Sequence, residues 1–176
     1  MRTDVLLRTV VEAATPQLDA LSADEAAASR GEGKWSAKQG VGHLIDSACN
    51  NHSRFVRAQF GDDLVFDGYD QEAWVAAQRY DTAPWHDLVA LWRAYNLHIA
   101  HVVEAVSPEV LERTRSRHNL DRIAWQTVPS TEPVTLAYFV RDYVGHMENH
   151  LLQILPRYEP ISFSRAERDP VSQTAQ

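Results

Sequence analysis

Four stretches of roughly twenty residues carry apolar side chains one helical turn apart, and that periodicity restricts the chain to long amphipathic helices packed on one another. The first, 3–22, puts Leu6, Val10, Ala14, Leu18 and Leu21 on one stripe, with Pro16 expected to kink or split it. The second opens at Ser36, an N-cap with Gln39 in the capping-box position, and runs to about 59. The third, 84–106, has Leu88, Trp92, Tyr95, Ile99 and Val102 on its stripe. The fourth, 134–155, has Leu136, Phe139, Tyr143, His146, His150 and Ile154, and Pro156 ends it. Strand signal is slight and no repeat is present. The fold class is therefore all-α, a four-helix bundle over 1–156 followed by a polar, loose tail, 157–176.

Shorter signals fill the connections. "SADE" at 22–25 is a capping box, and Asp70 caps a short helix over 71–79. Pro108 opens another short helix within 107–113, and 114–133 read as irregular loop. The 61–84 link is unusually long.

Composition removes several functions. A net charge of −7, with no basic run beyond the arginines scattered between Arg113 and Arg122, argues against nucleic acid. Glu112 and Asp121 make that stretch read as a solvated loop. No apolar stretch approaches the roughly 18 residues of a membrane span. Arg8 and Glu12 interrupt any signal-peptide core, and the lone Cys49 suits a reducing compartment, so a cytoplasmic location is expected.

The segment "GHMENH", 145–150, sets His146 and His150 four residues apart in the core stripe of the fourth helix. It is not the H-E-x-x-H signature of zinc proteases, because Glu148 lies roughly 200° around the helix from His146 and faces away. The pair alone leaves two readings level: packed core-edge histidines, or ligands of a divalent metal. His43 is the best third ligand, with Gly40 and Ser47 leaving room around it. His86 lies at a helix start and His118 in a loop. His52, His98 and His101 read as packed or surface histidines outside any constellation.

His43 lies about seven residues into its helix, whereas His146 and His150 lie late in theirs. The levels match if the second and fourth helices run antiparallel. An up-down-up-down order would leave them about 6 to 12 Å apart at about 1.5 Å per residue. Up-down-down-up brings them level and requires a long crossover between the second and third helices, which 61–84 can provide.

The segments "KWSAKQGVGHLIDSACNNHSRFVRAQ" (34–59), "YDQEAWV" (69–75), "LWRAYNLH" (91–98) and "DYVGHMENHLLQI" (142–154) resemble the DinB-like superfamily of metalloenzymes across roughly 5–156. The resemblance implies a four-helix bundle with a three-histidine metal site, whose ligands by matched motif are His43, His146 and His150. It also implies a thiol S-transferase, a thiol-dependent isomerase or a member without known activity, a link to the stress response, and a homodimer. A third histidine often found beside the last ligand is Asn149 here, which bears on substrate contacts.

Three neutral imidazoles leave a coordination position open for water or a low-molecular-weight thiol, whose pKa the metal lowers. Zn²⁺ and Ni²⁺ both suit such ligands. Asp46 and Asp142 are candidates to orient the imidazoles, and Asn50, Arg54 and Asn96 to line the pocket. Cys49 lies about 240° around the helix from His43 and reads as a packed thiol. Two function classes follow: a metal-dependent transferase or hydrolase acting on a small, thiol-linked substrate, or a non-catalytic, stress-induced metal-binding bundle.

Overall fold

Capping chemistry sets where several of the helices start. The Ser36 hydroxyl accepts from the Gln39 N–H while the Gln39 side chain accepts from the Ser36 N–H at 3.0 Å, opening α3, Ala37–Arg57. The same reciprocal box at Ser22 and Glu25 opens α2, Ala23–Ala27, and Asp70 caps α4, Gln71–Gln78. The other long helices are α1 (Thr3–Asp19), α5 (Trp85–Ala105) and α8 (Leu136–Ile154). α6 spans Pro108–Glu112 and α7 spans Leu120–Ile123. The computed structural model describes residues 1–163. Among these there is no named strand, only isolated bridges pairing Leu64 with His118 and Arg115 with Val134.

α1 packs on α5 and α8, and α3 packs on the same two helices, which closes a four-helix bundle. Most of each stripe read from the sequence lies in the bundle interior, although Leu21, Tyr95 and Val102 are only half-buried. Leu6, Val10, Ala14, Leu18, Leu88, Trp92, Ile99, Leu136, Phe139 and Tyr143 are all buried. Each large apolar side chain removed from water contributes about 1.5–3 kcal/mol, so these stripes hold the bundle together. Pro16 does not split α1, which runs unbroken through it to Asp19. So near a C-terminus, the missing proline N–H removes a single helical bond.

Contacts between helices give their relative directions. Gly40 meets Ile154 near one end of the α3–α8 pair, and the ring of Phe55 meets that of Phe139 near the other, so the two run antiparallel. In α1 and α5, Arg8 pairs with Glu104 and the Leu18 carbonyl accepts from Trp85 Nε1, again antiparallel. Along α3 and α5, Lys38 Nζ donates to the Ala83 carbonyl just before α5, and His52 lies beside His98 further along both, so these run parallel. These directions are compatible with an up-down-down-up order.

The 58–84 segment lies back along α3 as a strap. Arg54 donates to the Asp67 carbonyl at 2.7 Å, Asp46 accepts from Tyr80 and Gln78, and Lys38 donates to the Asp81 carbonyl. Position 42 must be glycine for this: a Cβ there would come within 2.1 Å of the Tyr80 ring.

Three expectations are corrected. Residues 114–133 are not wholly irregular, since they contain α7, and Arg115 is buried rather than solvated, donating to the carbonyls of Val110, Arg113 and Ala58. The chain beyond 156 is not loose throughout. Tyr158 is buried and donates to Glu148 at 2.6 Å, while the Ile161 and Ser162 N–H groups donate to the same carboxylate. Glu148 is itself 0% exposed, so α8 turns its acid away from the histidines and uses it to clamp the chain after the helix. The remainder of the tail, 164–176, lies outside the described residues. Third, Cys49 is not packed; it is exposed.

Candidate metal centre

α3 and α8 bring His43, His146 and His150 together. One ligand atom from each lies within 4.8 Å of the others, and among the described residues this is the group of three that meets that condition. His146 Nε2 is 3.1 Å from His150 Nε2 and 3.4 Å from His43 Nε2. Two nitrogens that each lie about 2.0–2.1 Å from one ion are roughly 2.8–3.4 Å apart at octahedral to tetrahedral angles, so the spacing fits a shared cation.

Burial sets the protonation of these rings. His43 is 0% and His150 5% exposed, while His146 is half-buried. Loss of water, with His146 close by, pushes His43 down to about 3. Desolvation pushes His146 to about 4. It also takes His150 well below its ordinary value, with further lowering from His146, His43 and the Arg30 guanidinium. All three imidazoles are neutral at pH 7, the form in which a ring nitrogen offers a lone pair. With His146 Nε2 within hydrogen-bond reach of both neighbours, an N–H there can serve only one of them well, whereas a divalent ion satisfies all three nitrogens at once.

Trp35 covers one side of the cluster. Its ring centroid is 5.0 Å from that of His43 and 6.3 Å from that of His150, nearly parallel to the latter. Its indole N–H donates to Glu72 of α4 at 3.3 Å, so the strap helps hold this cover. His146 is the least buried member of the three. Sequence reading passed over Trp35 as a site residue. Its signal was position: one residue ahead of the α3 N-cap, it lies at the end of the helix where His43 stands.

The candidate supporting residues are placed elsewhere. Asp46 accepts from Tyr80 at 2.7 Å and from Gln78, and burial raises its pKa. It pins the strap to α3 instead of orienting an imidazole. Asp142 accepts from the N–H groups of Trp125 and Gln126 at 2.9 and 2.7 Å, and desolvation pushes it up to about 6 against the lowering effect of those bonds. It therefore fixes the 124–126 turn on α8, where the Trp125 ring lies so close to Gly145 that a Cβ there would approach within 2.6 Å. Neither acid takes His43 Nδ1, which is buried without a hydrogen-bond partner. The His43 ring is thus held by packing under Trp35, in place of the carboxylate or carbonyl usual for a ligand histidine.

Of the pocket candidates, Arg54 is buried and bonded to Asn51 and Asp67, and Asn96 is buried between Trp92 and the Tyr143 hydroxyl. Asn50 donates to the Asp46 carbonyl one turn back in α3. Arg54 and Asn96 are committed to the bundle's own polar contacts rather than to the histidines.

A four-helix bundle with a buried three-histidine cluster between antiparallel helices is the arrangement of one class of helical proteins. The chain belongs to the DinB superfamily, whose model matches residues 6–154. Among solved structures, it is similar to YfiT from Bacillus subtilis, described as a probable metal-dependent hydrolase with an unusual four-helix bundle topology. The two superpose with a TM-score of 0.69 at 20% identity, over 86% of this chain and 81% of that one. No curated protein matches the chain. No helix among the described residues is long and apolar enough to cross a membrane.

Proposed function

We propose that the protein is a metal-dependent enzyme in which His43, His146 and His150 hold one divalent ion, zinc or nickel, and which acts as a hydrolase or thiol transferase on a small-molecule substrate. The observation that carries this reading is the convergence of three neutral Nε2 atoms at 3.1 and 3.4 Å in a buried setting. The description of YfiT supports the hydrolytic branch. The family resemblance supports the thiol branch, together with a homodimer and a role in stress.

When bound, the ion would supply Lewis acidity, bringing a water or thiol to nucleophilic form near neutral pH. The protein's own part is positional. Burial keeps the imidazoles deprotonated, and Trp35 blocks approach from the His43–His150 side. Asp46 and Asp142 hold the strap and the 124–126 turn as walls, and neither is placed as a proton carrier.

The test uses protein purified without a histidine tag. Its metal content is measured and small esters and amides are assayed, alone and with added low-molecular-weight thiols. A tightly held equivalent of divalent metal at the buried cluster and turnover that needs it, both lost in His150→Ala, are expected. A metal-free protein that turns over substrate would overturn the reading.

A further inference from the structure

α3 and α5 meet a second time, nine residues along α3 from His43. Parallel helices keep their residues in step, so Cys49 lies opposite Tyr95 and His52 opposite His98. The Tyr95 side chain neighbours Cys49, whose proximity adds to the burial that raises the Tyr95 pKa. It also lies 3.5 Å from His52 Nδ1. The His52 and His98 ring centroids are 5.0 Å apart at 77°, and His101 flanks them at 6.4 Å from His98. Within the buried cluster the three centroid separations are 4.6, 4.7 and 5.3 Å, so the surface rings are spaced alike, although their ligand atoms and the Cys49 sulfur are not gathered within the 4.8 Å that unites the buried three.

Cys49 and His52 are three residues apart on α3, hence on one face, and both turn toward α5. Cys49 and His98 are exposed and His52 is half-buried, so a solvent-borne ion can reach all three. One sulfur and two nitrogens are a donor set for a borderline-soft ion.

We propose that Cys49, His52 and His98 form a second metal site, for a thiophilic divalent cation such as Zn²⁺, bridging α3 and α5 at the surface. Both histidines bind neutral through a ring nitrogen. Cys49 binds as thiolate and its proton leaves to solvent, breaking the contact with Tyr95. The side chains are not gathered as closely as the buried three and close on the ion by rotamer change, which exposed side chains make readily. The site shares no ligand with the buried cluster, so it stands whether or not that cluster is catalytic.

Cys49 is the chain's one cysteine, which makes the test specific. Metal-free protein kept reduced with a phosphine is titrated with Co²⁺ and followed by absorption spectroscopy and gel filtration. The expected result is two equivalents bound by a monodisperse species. One gives ligand-field bands without sulfur character. The other gives a thiolate-to-cobalt charge-transfer band, which Cys49→Ser and His98→Ala each remove while the sulfur-free equivalent persists. His43→Ala should do the reverse. Absence of any thiolate band overturns the proposal, as does a band that survives His98→Ala. A band that rises with protein concentration alongside a larger species also overturns it, by placing the sulfur in a contact between copies. Circular dichroism of each variant confirms that it is folded.

Discussion

α3 carries two histidines that meet partners on neighbouring helices, and the two regions differ in nearly everything but ring spacing. At His43, burial has removed water, fixed the neutral form and left Nδ1 without a partner, with Trp35 packed on the ring. At His52, one face is open, the neighbours are a thiol and a phenol, and the pKa is lowered mainly by partial burial with help from His98. The comparison teaches that distance between imidazoles does not by itself make a site. Enclosure decides whether lone pairs are gathered before an ion arrives or only once it does. The buried cluster pays for its gathering in folding free energy, whereas the surface pair leaves the fold nearly indifferent.

The largest effect should come from His150→Ala. The buried equivalent of metal should fall to near zero, while the melting temperature without metal shifts by only a few degrees, since the stripes carry the fold. Metal analysis with melts in chelator checks this. A mutant that loses its fold in chelator would give the buried cluster a structural role.

Acid comes next. His43 and His146, pushed to about 3 and about 4 when folded, return to about 6.5 in the unfolded chain. The unfolded state therefore takes up more protons below about 6.5. Stability of metal-free protein should fall as pH drops from there toward 4, by up to about 1.4 kcal/mol per pH unit for each histidine. Above about 6.5 this contribution is fully present. Urea melts of wild type and His43→Ala across that range check it, with the shallower slope expected in the variant. In the folded protein, protons compete for the same nitrogens only as pH approaches about 4 and about 3, so bound metal should be lost below the point where metal-free stability begins to fall.

Gly42→Ala should cost about 1–3 kcal/mol, because its Cβ would strike the Tyr80 ring and lift the strap beside His43. Equilibrium unfolding measures this, and a neutral result would show that Tyr80 yields easily. The smallest effect belongs to the open region: His98→Ala should change the stability of metal-free protein by no more than about 0.5 kcal/mol. A larger loss would mean that the α3–α5 seam depends on that ring.

The helices were legible because each stripe repeats at a helical period and several starts carry a cap, as at Ser36–Gln39 and Ser22–Glu25. His43, His146 and His150 were legible as a group because their depths in α3 and α8 agree. What escaped depends on contacts that no local pattern encodes. Trp35 belongs to the site only because α3 begins where α8 ends. Asp46 and Asp142 stand near the ligands in sequence, yet strap and turn claim them first. Glu148 was rightly turned away from the histidines, but nothing local showed that Tyr158 and the backbone at 161 and 162 would bury it. Cys49 was correctly placed off the buried cluster; being off it did not make the thiol packed.

The strap along α3 bears on how quickly the chain can find its structure. Antiparallel neighbours can zip up from a short turn, whereas α3 and α5 lie side by side in the same direction. They can settle only after the intervening 58–84 segment has travelled back to the start of α3 and docked Tyr80 over Gly42. Loop closure must come before the contacts that reward it, which raises the mean sequence separation of native pairs and lowers the expected rate relative to an up-down-up-down bundle of equal length. Since α3 carries His43 and the strap carries Glu72, the partner of Trp35, the histidine cluster gains its cover only once that slow step is complete.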